Sequence, residues 1–207
     1  MNLVDDVLTF WFETTDLAQE MEKRDLWFKS EPEFDQAIHD QFMEAYEQAA
    51  RGELDDLKET ANGCVALIII LDQFPRNLFR GSAKSFAADP KARQIARYAL
   101  EKDYQSGLAL WPRIFTYLPF EHSEELADQD LSLSLFEGTG VESAVQAAVG
   151  HRDAILKFGR FPHRNEVLGR ENTPEEDEYL KTPPSWGKTK AEMEELERQQ
   201  AAEAIDD

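Results

Sequence analysis

Residues 63–74, Gly-Cys-Val-Ala-Leu-Ile-Ile-Ile-Leu-Asp-Gln-Phe, are apolar on every side when drawn as a helix. A helix without a polar face has to be surrounded by other elements. This segment therefore predicts a central buried helix, with Asn62 placed to cap it and Pro75 to end it. A strand is the alternative over Val65–Leu71, because the run is rich in β-branched residues. Helix is preferred because no second strand candidate exists to pair with it. The uninterrupted apolar part, Cys64 to Leu71, is eight residues long. That is far short of the roughly 20 needed to cross a bilayer.

The rest of the chain supplies amphipathic helices to cover that centre. Leu3, Val4, Val7, Leu8 and Trp11 repeat at helical spacing, which predicts a helix over about residues 3–13. Ser30-Glu31-Pro32-Glu33 reads as a helix start with Ser30 as cap, followed by the stripe Phe34, Ile38, Phe42, Ala45 and Ala49, with Gly52 as the end. Asp89-Pro90 opens a helix carrying Ala92, Ile95, Ala96, Ala99 and Leu100. Residues 108–118 are apolar but contain Pro112, which predicts a broken or kinked helix, stopped by Pro119. Ser123 can cap a helix through Leu126, Leu131 and Leu135 that Gly138 closes. Residues 141–158 form a last core helix, with Gly159 as its terminator.

The pattern is an all-α fold of stacked antiparallel helices in one domain, residues 1–181. Residues 182–207 form an acidic peripheral tail with a Thr182-Pro183-Pro184-Ser185 linker, in which residues about 189–204 can form an exposed helix. The tail region from residue 171 onward carries twelve acidic and four basic side chains. Helix pairs stacked in a solenoid also fit, although no repeat of fixed period is visible.

Charge excludes several functions. The net charge is −20, which argues against binding nucleic acid or an anionic membrane surface, because both are polyanions. Cys64 is the single cysteine, so no disulfide within the chain is possible, and the simple expectation is a buried thiol in a reducing cytoplasm. The N-terminus lacks the basic region of a secretory signal.

Against this acidic background, arginine is concentrated in two segments, Phe74-Pro75-Arg76-Asn77 with Arg80, and Arg160-Phe161-Pro162-His163-Arg164-Asn165. Guanidinium forks hold carboxylates and phosphates bidentately. Arg76, Asn77, Arg80, Arg160, His163, Arg164 and Asn165 are therefore candidates for an anionic ligand site. They can equally pair with the protein's own carboxylates and lock helix corners. Asp72 lies near the C-terminal end of the buried helix, where burial and the helix dipole both oppose a carboxylate. It needs a partner, with Arg76 or Arg80 nearest in sequence. His151 has inward helical phase, and His122, Glu124 and Asp128 stand on another stretch that can face the core. His122, His151, Asp72 and Glu124 are accordingly the candidates for general acid–base chemistry. His122, Glu124, Asp128 and His151 could also converge as metal ligands, but their spacing matches no zinc motif, so no metal and no cofactor is expected.

Three motifs resemble the domain of unknown function 924 family: Leu71-Asp72-Gln73-Phe74-Pro75-Arg76-Asn77-Leu78-Phe79-Arg80-Gly81, Tyr117-Leu118-Pro119-Phe120-Glu121-His122-Ser123-Glu124, and Phe158-Gly159-Arg160-Phe161-Pro162-His163-Arg164-Asn165 followed by Leu168-Gly169-Arg170. Phe10-Trp11-Phe12 and the region from Trp27-Phe28 to Phe34-Asp35 are similar to it as well, so the resemblance spans roughly residues 3–181. Lys157 stands where the family pattern suggests arginine, and Lys58 where it suggests an aromatic. The resemblance implies an all-helical architecture like the tetratricopeptide-repeat superhelix, in a family without an established biochemical function. The leading functional expectation is a binding module for an anionic small molecule or acidic peptide. The rivals are a hydrolase or lyase built on the His/Asp/Glu set, and a purely structural or interaction protein.

Overall fold

The computed structural model describes residues 2–28, 31–182 and 198. Among them there is no strand, and the chain is all-helical. The helices are α1 (Leu3–Phe12), α2 (Pro32–Arg51), α3 (Ala61–Ile68), α4 (Phe74–Leu78), α5 (Asp89–Glu101), α6 (Leu110–Glu121), α7 (Leu126–Glu137), α8 (Glu142–Phe158) and α9 (Pro174–Tyr179). The expected cap Ser30 and the expected helix over residues 189–204 lie outside the described residues, Arg198 excepted.

The helix ends follow from local chemistry. Asn2 caps α1 by accepting the Asp5 N–H. Pro32 takes the first position of α2, where its missing N–H costs nothing, and Gly52 ends that helix in the left-handed region at φ 88°. Gly159 does the same for α8 at φ 68°. The central helix is capped by Thr60 rather than Asn62: the Thr60 hydroxyl accepts the Gly63 N–H at 3.0 Å, while Asn62 donates to the Thr15 carbonyl at 2.9 Å. Ser123 does not cap α7 either. It accepts the Glu125 N–H at 3.1 Å, and the helix begins one residue beyond that, at Leu126.

Two prolines expected to stop helices do not. A π turn over Ile69–Gln73 joins α3 to α4, so the helix runs through Pro75. The Phe74 N–H reaches back to the Ile69 carbonyl, which shifts the hydrogen-bond register just where proline removes a donor. In α6, Pro112 lies in the first turn, where no N–H partner is needed, and the helix is unbroken there. Pro119 is inside the same helix, which closes with the His122 N–H on the Leu118 carbonyl at 2.9 Å.

Helix α3 is covered by α1, α5 and α6, whereas α4 lies against α2. Residues 64–71 and Phe74 are fully buried, as their all-round apolar pattern requires. An aromatic layer fills the space between these helices. Phe74 stacks on Phe42 at 5.0 Å and meets Trp11 edge-on at 5.8 Å, and Trp11 in turn meets Phe115 at 5.5 Å. Helix α7 packs on α6 and α8. Among the described residues, no helix is long and apolar enough to cross a membrane.

Cys64 is buried, its thiol faces the Lys58 carbonyl at 3.1 Å, and burial pushes its pKa up to about 12. The folded protein is therefore expected to resist alkylation at pH 8 and to react once denatured. Mass spectrometry after iodoacetamide treatment checks this, and rapid labelling of the native state would contradict it.

Candidate functional site

The site begins at the π turn. Its Asp72 is completely buried. Both carboxylate oxygens face His122 Nδ1, at 2.9 and 3.0 Å. Gln73 Nε2 donates to the same carboxylate at 2.6 Å, and Arg76 lies 3.6 Å away. Burial alone would raise the pKa of this carboxyl. The charge and hydrogen bond of His122, with Arg76 and Gln73, outweigh it and hold the pKa below the ordinary value. An ionised carboxylate only accepts, so the proton of this contact is on Nδ1 of His122. Nε2 is then the working nitrogen, and no hydrogen bond from the described residues occupies it. The ring is not sealed, since its side chain keeps 18% of its exposure.

Arg76 links this pair to a second carboxylate. It holds Asp89 bidentately at 2.8 and 3.0 Å and also donates to the Ser85 carbonyl. Asp89 is the first residue of α5, where a carboxylate is favoured by the helix N-terminus. Arg164 approaches the same carboxylate at 3.5 Å, and its guanidinium lies over the rings of Phe86 and Phe161 at 4.4 and 4.5 Å. Neighbouring His163 is pushed down to about 3 by burial and by the charges of Arg164 and His151, so it stays neutral in ordinary conditions.

A second imidazole–carboxylate pair lies beside the first. His151 Nδ1 is 2.9 Å from Glu121 Oε1 and also 2.9 Å from the Ala147 carbonyl. The Glu121 oxygen does not meet hydrogen-bond geometry, so the Ala147 carbonyl is the acceptor and Glu121 acts through its charge. The His122 and His151 rings have centroids 6.3 Å apart. Gln129, fully buried, fixes this corner by donating to the backbone carbonyls of Glu121 and Ser123 at 2.7 and 2.6 Å.

The remaining candidates separate. Asn77 and Arg80 both turn to Asp35, at 2.6 and 3.3 Å. Arg160 clamps Glu176 with two contacts of 2.7 Å and reaches the Glu171 carbonyl at 2.8 Å. Asn165 bonds Asn172 at 2.8 Å. Glu124 turns from the histidines to the Arg170 fork, at 2.9 and 2.8 Å, and accepts the Phe161 N–H at 2.9 Å. Asp128 is taken by Arg97, Arg93 and Ser123. Among the described residues, no group of three or more His, Cys, Asp or Glu side chains could hold a metal ion. A groove of about 530 Å³ lies apart from all of these, between the starts of α1 and α3, lined by Asn2, Leu3, Asp5, Leu57, Thr60 and Asn62 among others.

Two members of the network were not legible as site residues. Asp89 reads in the sequence as a helix opener, and Glu121 as a neighbour of His122. The signal for Glu121 was its phase: it stands one turn beyond Tyr117 on the buried face of α6.

An all-helical protein with a carboxylate–imidazole pair at a π turn in its central helix is the class that fold and site define. The chain belongs to the DUF924 family of bacterial proteins of unknown function, whose sequence profile matches residues 7–184. It is similar to a solved protein of unknown function from Agrobacterium tumefaciens, with 41% identity and a TM-score of 0.80, over 87% of this chain and 98% of that one. No curated protein matches significantly.

Proposed function

We propose that this protein is an enzyme, a hydrolase or lyase, in which His122 moves a proton to or from a small substrate. The observation that carries the reading is the Asp72–His122 contact: a fully buried carboxylate, held 2.9 Å from Nδ1 of a ring that is itself partly open. Burying a charged carboxylate is costly unless it is paired. Here the pairing fixes a tautomer and orients Nε2, the arrangement that general acid–base catalysis needs. Three buried or partly buried hydroxyls are committed elsewhere: Ser123 donates to Asp128, Thr116 to the Pro112 carbonyl, and Ser85 to the Phe79 carbonyl. A water molecule or a substrate C–H is thus the natural partner of His122, rather than a serine nucleophile.

The alternative of a binding groove rimmed by Arg76, Arg80, Arg160 and Arg164 has less support, because Arg160 is closed by Glu176, Arg76 is held by Asp89 and Arg80 pairs with Asp35. The finer reading of the architecture as a tetratricopeptide-repeat-like superhelix is supported by the sequential packing of α5 on α6, α6 on α7 and α7 on α8.

The test is substrate-free at the outset. Purified wild-type protein and His122→Ala are incubated with a bacterial small-molecule extract, and turnover is followed by mass spectrometry. At least one metabolite is expected to be consumed by wild type, with the rate falling about 10²–10⁴-fold in His122→Ala. Asp72→Asn should also slow it while leaving the substrate unchanged. Equal turnover by wild type and His122→Ala, or none by either, refutes the proposal.

A further inference from the structure

We infer that the substrate of the His122 site is a small oxyanion, of the phosphate or carboxylate class, whose oxygens are taken by the free edge of Arg164. The inference rests on the acid–base reading above and adds the charge of what is bound. Arg164 carries five N–H donors in a planar fork, and its side chain is 8% exposed. Among the described residues it meets a carboxylate only at Asp89, at 3.5 Å, and Arg76 already holds that carboxylate at 2.8 and 3.0 Å. Arg164 Nε is buried and makes no hydrogen bond. Donors left unmade on a buried cation are costly.

The contrast with Arg160 is instructive. Arg160 is a structural pin: its fork closes on Glu176 with two contacts of 2.7 Å and a further bond to a carbonyl. Arg164 has the burial of a pin without the partners of one. Burial, followed by the charge of Arg76, pushes its pKa down to about 10 against the opposing pull of Asp89, Glu124 and Asp72. Of the other carboxylates that act on it, Glu124 is closed by the Arg170 fork and the Phe161 N–H, and Asp72 is held by His122 and Gln73. The rings of Phe86 and Phe161 hold the guanidinium, which leaves its edge to receive oxygen ligands. Arg76 completes the connection to the chemistry, because it touches both Asp89 and Asp72, the carboxylate that orients His122.

Calorimetric titration with inorganic phosphate tests the inference, with malonate as the carboxylate probe. One of the two is expected to bind wild type and to bind Arg164→Lys at least about tenfold more weakly, because an ammonium cannot reproduce the fork. Arg160→Lys should bind like wild type. Should Arg164→Lys fail to fold, the Nε–H resonance of Arg164 in wild type, observed by NMR, is expected to shift on addition of the same anion. Absence of binding by either probe, equal binding by Arg164→Lys, or an unmoved Nε–H resonance overturns the inference. None of these results touches the metabolite test, so the anion can fall while the role of His122 stands, and the reverse.

Discussion

Asp89→Asn is expected to destabilise the fold by about 3–5 kcal/mol, the range found when one partner of a buried ion pair is removed. For a chain of this size that lowers the unfolding midpoint by roughly 10 °C. Asp89 is a single carboxylate serving two guanidiniums, with its side chain 10% exposed and those of Arg76 and Arg164 at 20% and 8%. The amide keeps the shape and removes the charge. Arg76 would retain its bond to the Ser85 carbonyl but, as a charged partner, only the distant Asp72 at 3.6 Å, and Arg164 would lose the one carboxylate within reach among the described residues. Asp35→Asn is the fitting control, because Asp35 and Arg80 are 22% and 25% exposed and solvent screens such a pair to about 0–1 kcal/mol. Denaturant titration of both variants decides the matter. Similar small losses in the two would mean that the Asp89 junction is not a buried ion network in energetic terms.

Gly63→Ala is the second large effect, expected to cost about 3 kcal/mol, at the upper end of overpacking. The glycine backbone is ordinary helix there, so conformational strain is not the cause. The cause is space. A β-carbon at residue 63 would stand 1.8 Å from the Leu57 carbonyl oxygen and 2.9 Å from the Thr60 hydroxyl. The first of these is backbone of the 3-10 segment Asp55–Glu59, which lies directly over the start of α3. The second is the cap itself. Relief requires the segment to lift and the cap to break together. Gly107 has nothing within 4 Å of the same position, so Gly107→Ala should stay within about 0.5 kcal/mol of wild type. A Gly63→Ala protein with unchanged denaturation would show that the Asp55–Glu59 segment yields freely.

The elements legible in the sequence are those whose determinants are local. Gly52, Gly159, Pro32 and the Asp89-Pro90 start act within one turn of themselves, and each marks a boundary in the structure. Pro75 and Pro119 misled for the same reason: a proline's local rule is to end a helix, but a register change or a nearby terminus lets the helix continue. The cap of α3 went to Thr60 rather than Asn62 because the Asn62 amide is drawn to Thr15, which is distant in sequence.

The candidate site divides along the same line. Burial of Asp72 and the inward face of His151 follow from helical phase alone. Their partners do not. His122 is fifty residues from Asp72, Asp89 serves arginines thirteen and seventy-five residues away, and Glu124 turned to Arg170 at a separation of forty-six. In a chain with 42 acidic residues, each arginine has many possible carboxylates, and only the folded backbone selects among them.

The π turn has one more consequence. An α-helix advances about 100° per residue, so the wider turn at Ile69–Gln73 leaves the two halves of the central helix out of phase with each other. The first half presents its sides to α1, α5 and α6, and the second to α2. No single stripe can describe a rod whose azimuth changes midway, and the segment accordingly reads as apolar on all sides. The same rotation sets the bearing of Asp72. The one carboxylate in the buried stretch lies within the phase change itself, so the dislocation that lets the rod serve two sets of neighbours also aims that carboxylate.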